Sequence, residues 1–309
     1  MVSYSVIDDV NECERLWKLF SPNKFLFDNW DYRICFYDPE FVTLHFIAAK
    51  EGEKTIGVLP LWKWNSEGNY EFFGGEVTER NRFLVSDKKA IPALLNEMPK
   101  DTVLDYIDSS ESNSYNLTRQ ETRYFLRFSD YGNDLEKYFN SFGKKHRKNF
   151  RRDLKHPALS GYKVKHNDLN DFQRLVELNQ ARFTDGSFFA ERVFVEGFER
   201  MMKKALERNE LHMLSIEING KVEAVELAIL YNGVYNVLLG GNNLAIPNIG
   251  KLITVEHMKQ ALASGAEIID FLTTECGWKK LWNLSEEPSY TCKIPDSKEV
   301  LVQIVVCKA

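Results

Sequence analysis

Apolar positions in this chain fall into alternating stretches of helical and strand period, and the changes of period mark the elements. Val10, Cys13, Leu16, Trp17 and Phe20 recur at helical spacing, and Ser21-Pro22-Asn23 ends that helix. From Phe41 the pattern becomes strand-like: Val42 to Ala49, a turn at Glu51-Gly52-Glu53, Thr55 to Trp62, then Tyr70 to Phe73 ending in Gly74-Gly75. A short helix is predicted over 88–98, and strands over 102–107 and 122–128. A long helix is predicted from about Leu135 to His156, closed by Pro157, with Phe139, Phe142, His146, Phe150 and Leu154 on one stripe. Helices near 168–183 and 191–208 precede a second meander: Leu211 to Ile218, a turn at Asn219-Gly220, Val222 to Tyr231, a turn at Asn232-Gly233, and Val234 to Gly241. A helix over 250–263 and a strand over 267–272 complete the pattern.

The two meanders align with each other. Leu44-His45, Gly52 and Gly74-Gly75 match Leu211-His212, Gly220 and Gly240-Gly241 at an offset of about 166 residues. Chance recurrence in two unrelated hairpins is the competing reading, and the order of the elements favours duplication. The expected fold is α/β (α+β): two tandem domains over 1–130 and 131–309, each a mixed, mostly antiparallel sheet flanked by helices. A length of 309 residues fits two domains, and 44% apolar with 28% charged residues is ordinary globular composition.

Charge and cysteines narrow the class. Forty basic against 45 acidic side chains give a net charge of −5, which argues against a general nucleic-acid binder but leaves room for a local basic patch. Five scattered cysteines form no CxxC pair, so reduced thiols are expected and no metal is indicated. The amino terminus shows no basic stretch followed by an apolar run, and no apolar run approaches a membrane span, so a cytoplasmic location is expected.

Three segments carry candidate chemistry. Ala245-Ile-Pro-Asn-Ile-Gly-Lys-Leu lies between a strand and a helix, where the backbone N–H groups of Gly250, Lys251 and Leu252 would face an anion; a helix start without a ligand is the plain alternative. Asp270 ends a strand, with Glu275 and Lys279 close behind, and Trp278 and Trp282 share a face four residues apart; capping and packing would explain the same residues. Lys144 to His156 holds seven Lys or Arg against one Asp, either a solvated face or a site for a phosphate-bearing partner. The histidines add little: His45 and His212 are expected in packing, and His257 at the surface of its helix. Glu223 and Glu226, on the strand before Val234, and Tyr290 are read as structural.

The run Asp270-Phe271, Trp278-Lys279 and Trp282 resembles the D-F-x(6)-Y-K-x-x-W signature of the tandem GNAT acyltransferases called CelD-like, relatives of the Fem-type aminoacyl transferases, with Trp278 in place of the tyrosine. Pro247-Asn-Ile-Gly-Lys-Leu resembles their S-P-G-x-L-L loop, Asn179-Gln-Ala-Arg-Phe their H-x-x-R-W helix, and the 144–156 run their R-K-x-x-R-R helix. The resemblance implies two GNAT-like domains, with the active site in the second. It implies an N-acyltransferase moving an acyl group from acyl-CoA, a co-substrate rather than a bound cofactor, to a small-molecule or peptide amine. The alternatives are a Fem-like transferase using aminoacyl-tRNA held by the 144–155 helix, and a non-catalytic duplicated protein that binds a peptide or glycan. In this reading Asp270 or Glu275 accepts the amine proton and Lys279 stabilises negative charge. Gly240 and Gly241 supply oxyanion-hole N–H groups, and Asn248, Gly250, Lys251 and Leu252 hold the donor phosphate. Arg147, Arg151, Arg182, Trp278 and Trp282 bind substrate.

Overall fold

The computed structural model describes residues 2–111, 117–273 and 277–293. The chain forms two compact units, one of Met1–Thr122 with Glu287–Ala309, the other of Arg123–Glu286. The first contains β1 (Val2–Ile7), α1 (Val10–Phe20), α2 (Trp30–Arg33), β2 (Val42–Glu51), β3 (Lys54–Trp64), β4 (Tyr70–Phe72), β5 (Leu84–Val85), α3 (Ile91–Asn96) and β6 (Thr102–Ile107). Its strands run in the order β1-β2-β3-β4-β6, antiparallel except for the β4–β6 pair, with β5 on β3. Aromatic rings fill one side of it: Trp17, Trp30, Phe46 and Phe73 pack with centroids 5.1 to 6.4 Å apart.

Next in the chain come β7 (Thr118–Arg127), α4 (Leu135–Asn140), α5 (Lys144–Asp153), β8 (Lys163–His166), α6 (Phe172–Phe183), α7 (Arg192–Glu207), β9 (Leu214–Ile218), β10 (Lys221–Tyr231), β11 (Val234–Asn242), α8 (Ile249–Ala263), β12 (Ile268–Asp270) and β13 (Ser285–Lys293). The second unit orders its strands β7-β12-β11-β10-β9-β8, and among the described residues only the β11–β12 pair is parallel. Both units therefore run an antiparallel meander, then a helix, then a strand parallel to the meander's last strand. That shared order is a tandem architecture. Helix α8 buries Ile249, Leu252, Ile253, Val255, His257, Met258 and Ala261, a nearly all-round apolar surface suited to a helix covered on several sides.

The units share the chain differently from a cut at 130. Arg123–Arg127 of β7 lie in the second unit, where β7 pairs antiparallel with β12. Strand β13 goes to the first unit, where Tyr290, Cys292 and Lys293 pair with Ile107, Leu104 and Val103 of β6. The single helix predicted over 135–156 is two, because Ser141 closes α4 and Gly143 caps α5 with an extended backbone. The aromatic stripe survives the break: Phe139, Phe142 and Phe150 stay within 5.1 to 5.9 Å of one another. Strands β1 and β8 escaped the periodicity because neither contains a fully buried residue.

Candidate active site

The parallel pair β11–β12 is short: Val234, Tyr235 and Asn236 lie opposite Ile268, Ile269 and Asp270, and β11 then continues to Asn242. Beyond Asn236, among the described residues, β11 is paired with β10 alone. Opposite Leu227 and Ala228 the register jumps from Leu239 to Val237, which leaves Leu238 as an extra residue on the open stretch of β11. A bulged residue has no ladder partner, so its backbone groups are available to a ligand.

Two glycines on this stretch make room for neighbours. A Cβ on Gly240 would lie 2.4 Å from Glu226 Cγ, and one on Gly241 would lie 2.7 Å from Asn179 N and Leu175 O of α6. Gly240 thus admits a carboxylate across the ladder, and Gly241 admits a helix. Asn179, buried on α6, donates from Nδ2 to Gly240 O at 2.7 Å and accepts from Ser187 Oγ at 2.6 Å. One turn on, Arg182 Nη1 donates to Asn242 Oδ1 at 2.6 Å. The Asn179–Phe183 run is therefore the piece of α6 that holds the end of β11.

Glu226 is the carboxylate of this region. Burial pushes its carboxyl up to about 8, against the opposing pull of Arg182. The side chain still exposes 20% of its area, so it meets both protein and solvent. Its Oε2 lies 3.6 Å from Nε2 of His257, which is completely buried on α8 and whose Nδ1 pairs with the Tyr235 hydroxyl at 2.8 Å. The surface position expected for His257 is thus corrected: α8 is covered on this side by β10 and β11. Glu223 has a different task, accepting from Asn243 Nδ2 at 2.9 Å and so anchoring the turn after β11.

The turn leads to α8, whose cap Asn248 has a left-handed backbone and makes no side-chain cap bond. The first amides of an α-helix have no partner within the helix. Here Ile249 N donates to Ile246 O at 3.4 Å and Leu252 N to Asn248 O at 3.0 Å, so the Leu252 amide expected to face an anion is taken and those of Gly250 and Lys251 remain. A Cβ on Gly250 would come 3.6 Å from Asn242 Nδ2, an ordinary contact that places the helix start beside the strand end. Lys251 Nζ pairs with Asp153 at 2.6 Å, so of this residue it is the backbone N–H that is free to meet a ligand, and Leu252 is buried.

Other candidates sit in structural contacts. Asp270 is buried and takes both Nε and Nη2 of Arg123 on Oδ2, at 2.7 and 2.6 Å, while Oδ1 accepts from Leu272 N. That ion pair secures a turn in which Leu272 has φ of 59°. Lys279 is also buried, donating to Phe271 O at 2.7 Å above the Tyr124 ring. Trp282 is buried in the core against Phe150, with Trp278 5.6 Å away, and Tyr138 donates its hydroxyl to Trp282 O. Glu275 lies outside the described residues, as does Cys276. Arg147 and Arg151 turn back to α4, donating to Asn140 O and to Glu136 and Asn140. What remains on α5 is an open groove of about 620 Å³ lined by Lys144, Lys145, His146, Asn149, Phe150 and Lys251.

The sheet thus parts at a bulge, with a carboxylate beside it and a helix start at its end. Residues 144–280 match the family described as Acetyltransferase (GNAT) domain. Over that span the chain is similar to a GNAT domain. Acyl or aminoacyl transfer is the chemistry of that class, and the protein is an enzyme of that kind. No curated protein matches the sequence. Solved structures share the fold along almost the entire chain: FemX at TM-score 0.56 and 14% identity, over 98% of this chain and 99% of that one. The L-PGS of Bacillus licheniformis follows at 0.55 and 10%, over 96% and 95%. A tandem GNAT protein from the clavulanic acid biosynthesis pathway gives 0.53 and 8%, over 96% and 100%.

Glu226 is read from the sequence as structural, and its contact with His257 is not visible there because the two are 31 positions apart on different elements. Gly240 was the available signal: it sits cross-strand from Glu226, and its lack of a side chain is what admits the carboxyl.

Proposed function

We propose that the protein is an N-acyltransferase that transfers an acyl group from acyl-CoA to an amine, with Glu226 as the proton acceptor. The observation that carries this reading is the open edge of β11, where the Leu238 bulge, Glu226 and the start of α8 are joined through Gly240 and Asn242. The amides at Gly250 and Lys251 meet the donor pyrophosphate, favoured by the positive end of the helix dipole. The N–H of Leu238 polarises the thioester carbonyl, a more suitable donor than those of Gly240 and Gly241 because the bulge removes it from the ladder. The amine nitrogen attacks the carbonyl carbon, its proton passes to Glu226, and the carbon–sulfur bond breaks to release coenzyme A. A base with a pKa near the working pH suits this step: it is partly ionised beforehand and holds the proton afterwards.

In this reading Asp270 with Arg123 shapes the floor of the gap, Lys279 holds the Phe271 turn and Trp282 packs beneath it. Arg182 orients Asn242 and keeps part of Glu226 ionised. The acceptor is a small-molecule or peptide amine. No helix among the described residues is long and apolar enough to cross a membrane, and acyl-CoA is a donor of the cytoplasm, so we place the reaction there. The α5 groove supports a second donor, aminoacyl-tRNA, because Lys144 and Lys145 border it and Lys148 extends their charge along α5, while Lys251 there is neutralised by Asp153. Thermal unfolding with acetyl-CoA, longer acyl-CoAs or an aminoacylated RNA minihelix separates the two. A ligand at 100 times its Kd adds about 2.7 kcal/mol of stability. A shift with acyl-CoA alone supports the first reading, a shift with the minihelix alone supports the second, and no shift with any of them overturns both.

A further inference from the structure

The contact between Glu226 and His257 has an unusual feature: His257 is completely buried and its Nε2 completes no hydrogen bond, although the backbone carbonyl of Glu226 lies near enough to pull on the ring. A buried polar atom left without a partner costs about 1–3 kcal/mol, so such an atom calls for a reason. Tyr235 supplies the first half of it. Burial keeps the hydroxyl protonated by pushing its pKa up, and the same burial, with the ring of His212 nearby, pushes His257 down to about 3. A neutral imidazole that accepts from a tyrosine on Nδ1 carries its proton on Nε2. That N–H lies 3.6 Å from Glu226 Oε2, beyond hydrogen-bond distance, so a bond between them requires the two to draw closer, which a negative charge on the carboxylate favours.

We infer that His257, held in its Nε2–H tautomer by Tyr235, is a positioning residue that stabilises the ionised form of Glu226. The inference builds on the reading of Glu226 as the base. The unsatisfied Nε2 is then the resting state of a donor whose acceptor gains charge before each transfer. Among the described residues, Arg182 from α6 favours the ionised Glu226, and Tyr235 of β11 meets His257 and is itself raised by burial and then by the Glu226 charge. The Glu226 backbone carbonyl favours a charged His257, and His212 and His166 oppose it from the β9 and β8 side.

The test titrates Glu226 directly, by carbon-13 NMR of labelled glutamate carboxyls with E226Q to assign the signal, alongside the pH profile of kcat/KM. His257→Phe keeps a flat ring and removes the donor, Tyr235→Phe frees the tautomer, and His257→Gln restores an N–H at the place of Nε2. Removal of the donor should raise the Glu226 pKa by about half a unit or more. His257→Gln should bring it back towards the wild-type value. If His257→Phe and Tyr235→Phe both titrate as wild type, or His257→Gln shifts as far as His257→Phe, the inference is overturned. If the NMR shift appears while E226Q keeps full turnover, the coupling stands and the assignment of Glu226 as base falls.

Discussion

The two units follow one plan and treat the gap in their sheets in opposite ways. In the first, β4 runs beside β6 only for Tyr70 and Glu71, and the chain turns through Gly74 and Gly75. It then lays Asn81 along β6, its N–H donating to Tyr106 O and its carbonyl accepting from Asp108 N, both at 2.8 Å. Arg33, buried, fixes this segment by donating to Phe27 O, Phe73 O and Asn81 Oδ1. In the second unit β11 passes the point where β12 leaves it, and no described segment takes up that edge. A gap filled with backbone and a guanidinium serves the fold, whereas a gap left open beside a carboxyl and a helix start is, in the proposed function, where the donor binds. Each unit also holds a carboxyl displaced by burial. Glu71 rises to about 7 but accepts from the ring N–H groups of Trp62 and Trp64, at 2.9 and 2.5 Å, while Glu226 rises to about 8 at the open edge.

The comparison breaks most sharply on those two carboxyls. Glu226→Gln should lower kcat/KM about 10²–10⁴-fold, the usual contribution of a general base, with acyl-CoA affinity and unfolding midpoint nearly unchanged. Glu71→Gln should leave kcat/KM within about twofold, because an amide carbonyl still accepts from one of the two indoles. Equal losses in the two variants, read by steady-state kinetics, would show that the first unit is no mere support.

Arg33 tests the filled gap. Arg33→Met leaves several buried carbonyl oxygens without a donor, and at about 1–3 kcal/mol for each group stranded it should cost at least about 3 kcal/mol. Urea unfolding reads this as a lower midpoint. A change under about 1 kcal/mol would mean that the Gly74–Asn81 segment holds without its guanidinium.

The paired glycines separate packing from chemistry at a smaller scale. Gly241→Ala sets a methyl against the backbone of α6, which has little freedom to shift, so a stability loss of about 1–3 kcal/mol is expected. Gly240→Ala meets a side chain, the Glu226 stem, which can swing aside. Its expected signature is the reverse: a small loss of stability with a marked fall in kcat. Should Gly240→Ala retain full turnover, Glu226 need not stand where it does.

How much of this was legible beforehand depends on the range of the interaction. The meanders, α6, α7 and α8 follow from local period, and the internal duplication was visible in Gly74-Gly75 and Gly240-Gly241. The Asn179–Phe183 motif was legible as a resemblance, and the structure gives its physics: Asn179 and Arg182 hold the end of β11. The Arg123 partner of Asp270 was hidden, being 147 positions away. So was the burial of His257, since a lone histidine on an apolar helix gives no sign of what covers it. The exchange of β7 and β13 also lies beyond periodicity, which locates strands without saying which sheet receives them.

The finest test of the open gap is its dependence on pH. Glu226 has a folded-state pKa above that of an unfolded carboxyl, so between about 4.5 and 8 the native protein binds more of this proton than the unfolded chain does. Stability from this group is full below that range and is lost as pH rises through 8. The wild type should therefore lose unfolding temperature relative to Glu226→Gln between pH 5 and 9, while kcat/KM climbs over the same interval as the base ionises. If Glu226 is the base, stability and turnover oppose each other at this residue, because burial favours the neutral form and the proposed reaction needs the charged one. Arg182→Gln removes a favourable charge from a partly solvated site, so the rising limb should move up by only about half a unit or less. A limb that stays in place would mean that Arg182 acts on Asn242 and the donor end alone. A limb that moves together with the stability curve would show one carboxyl governing both.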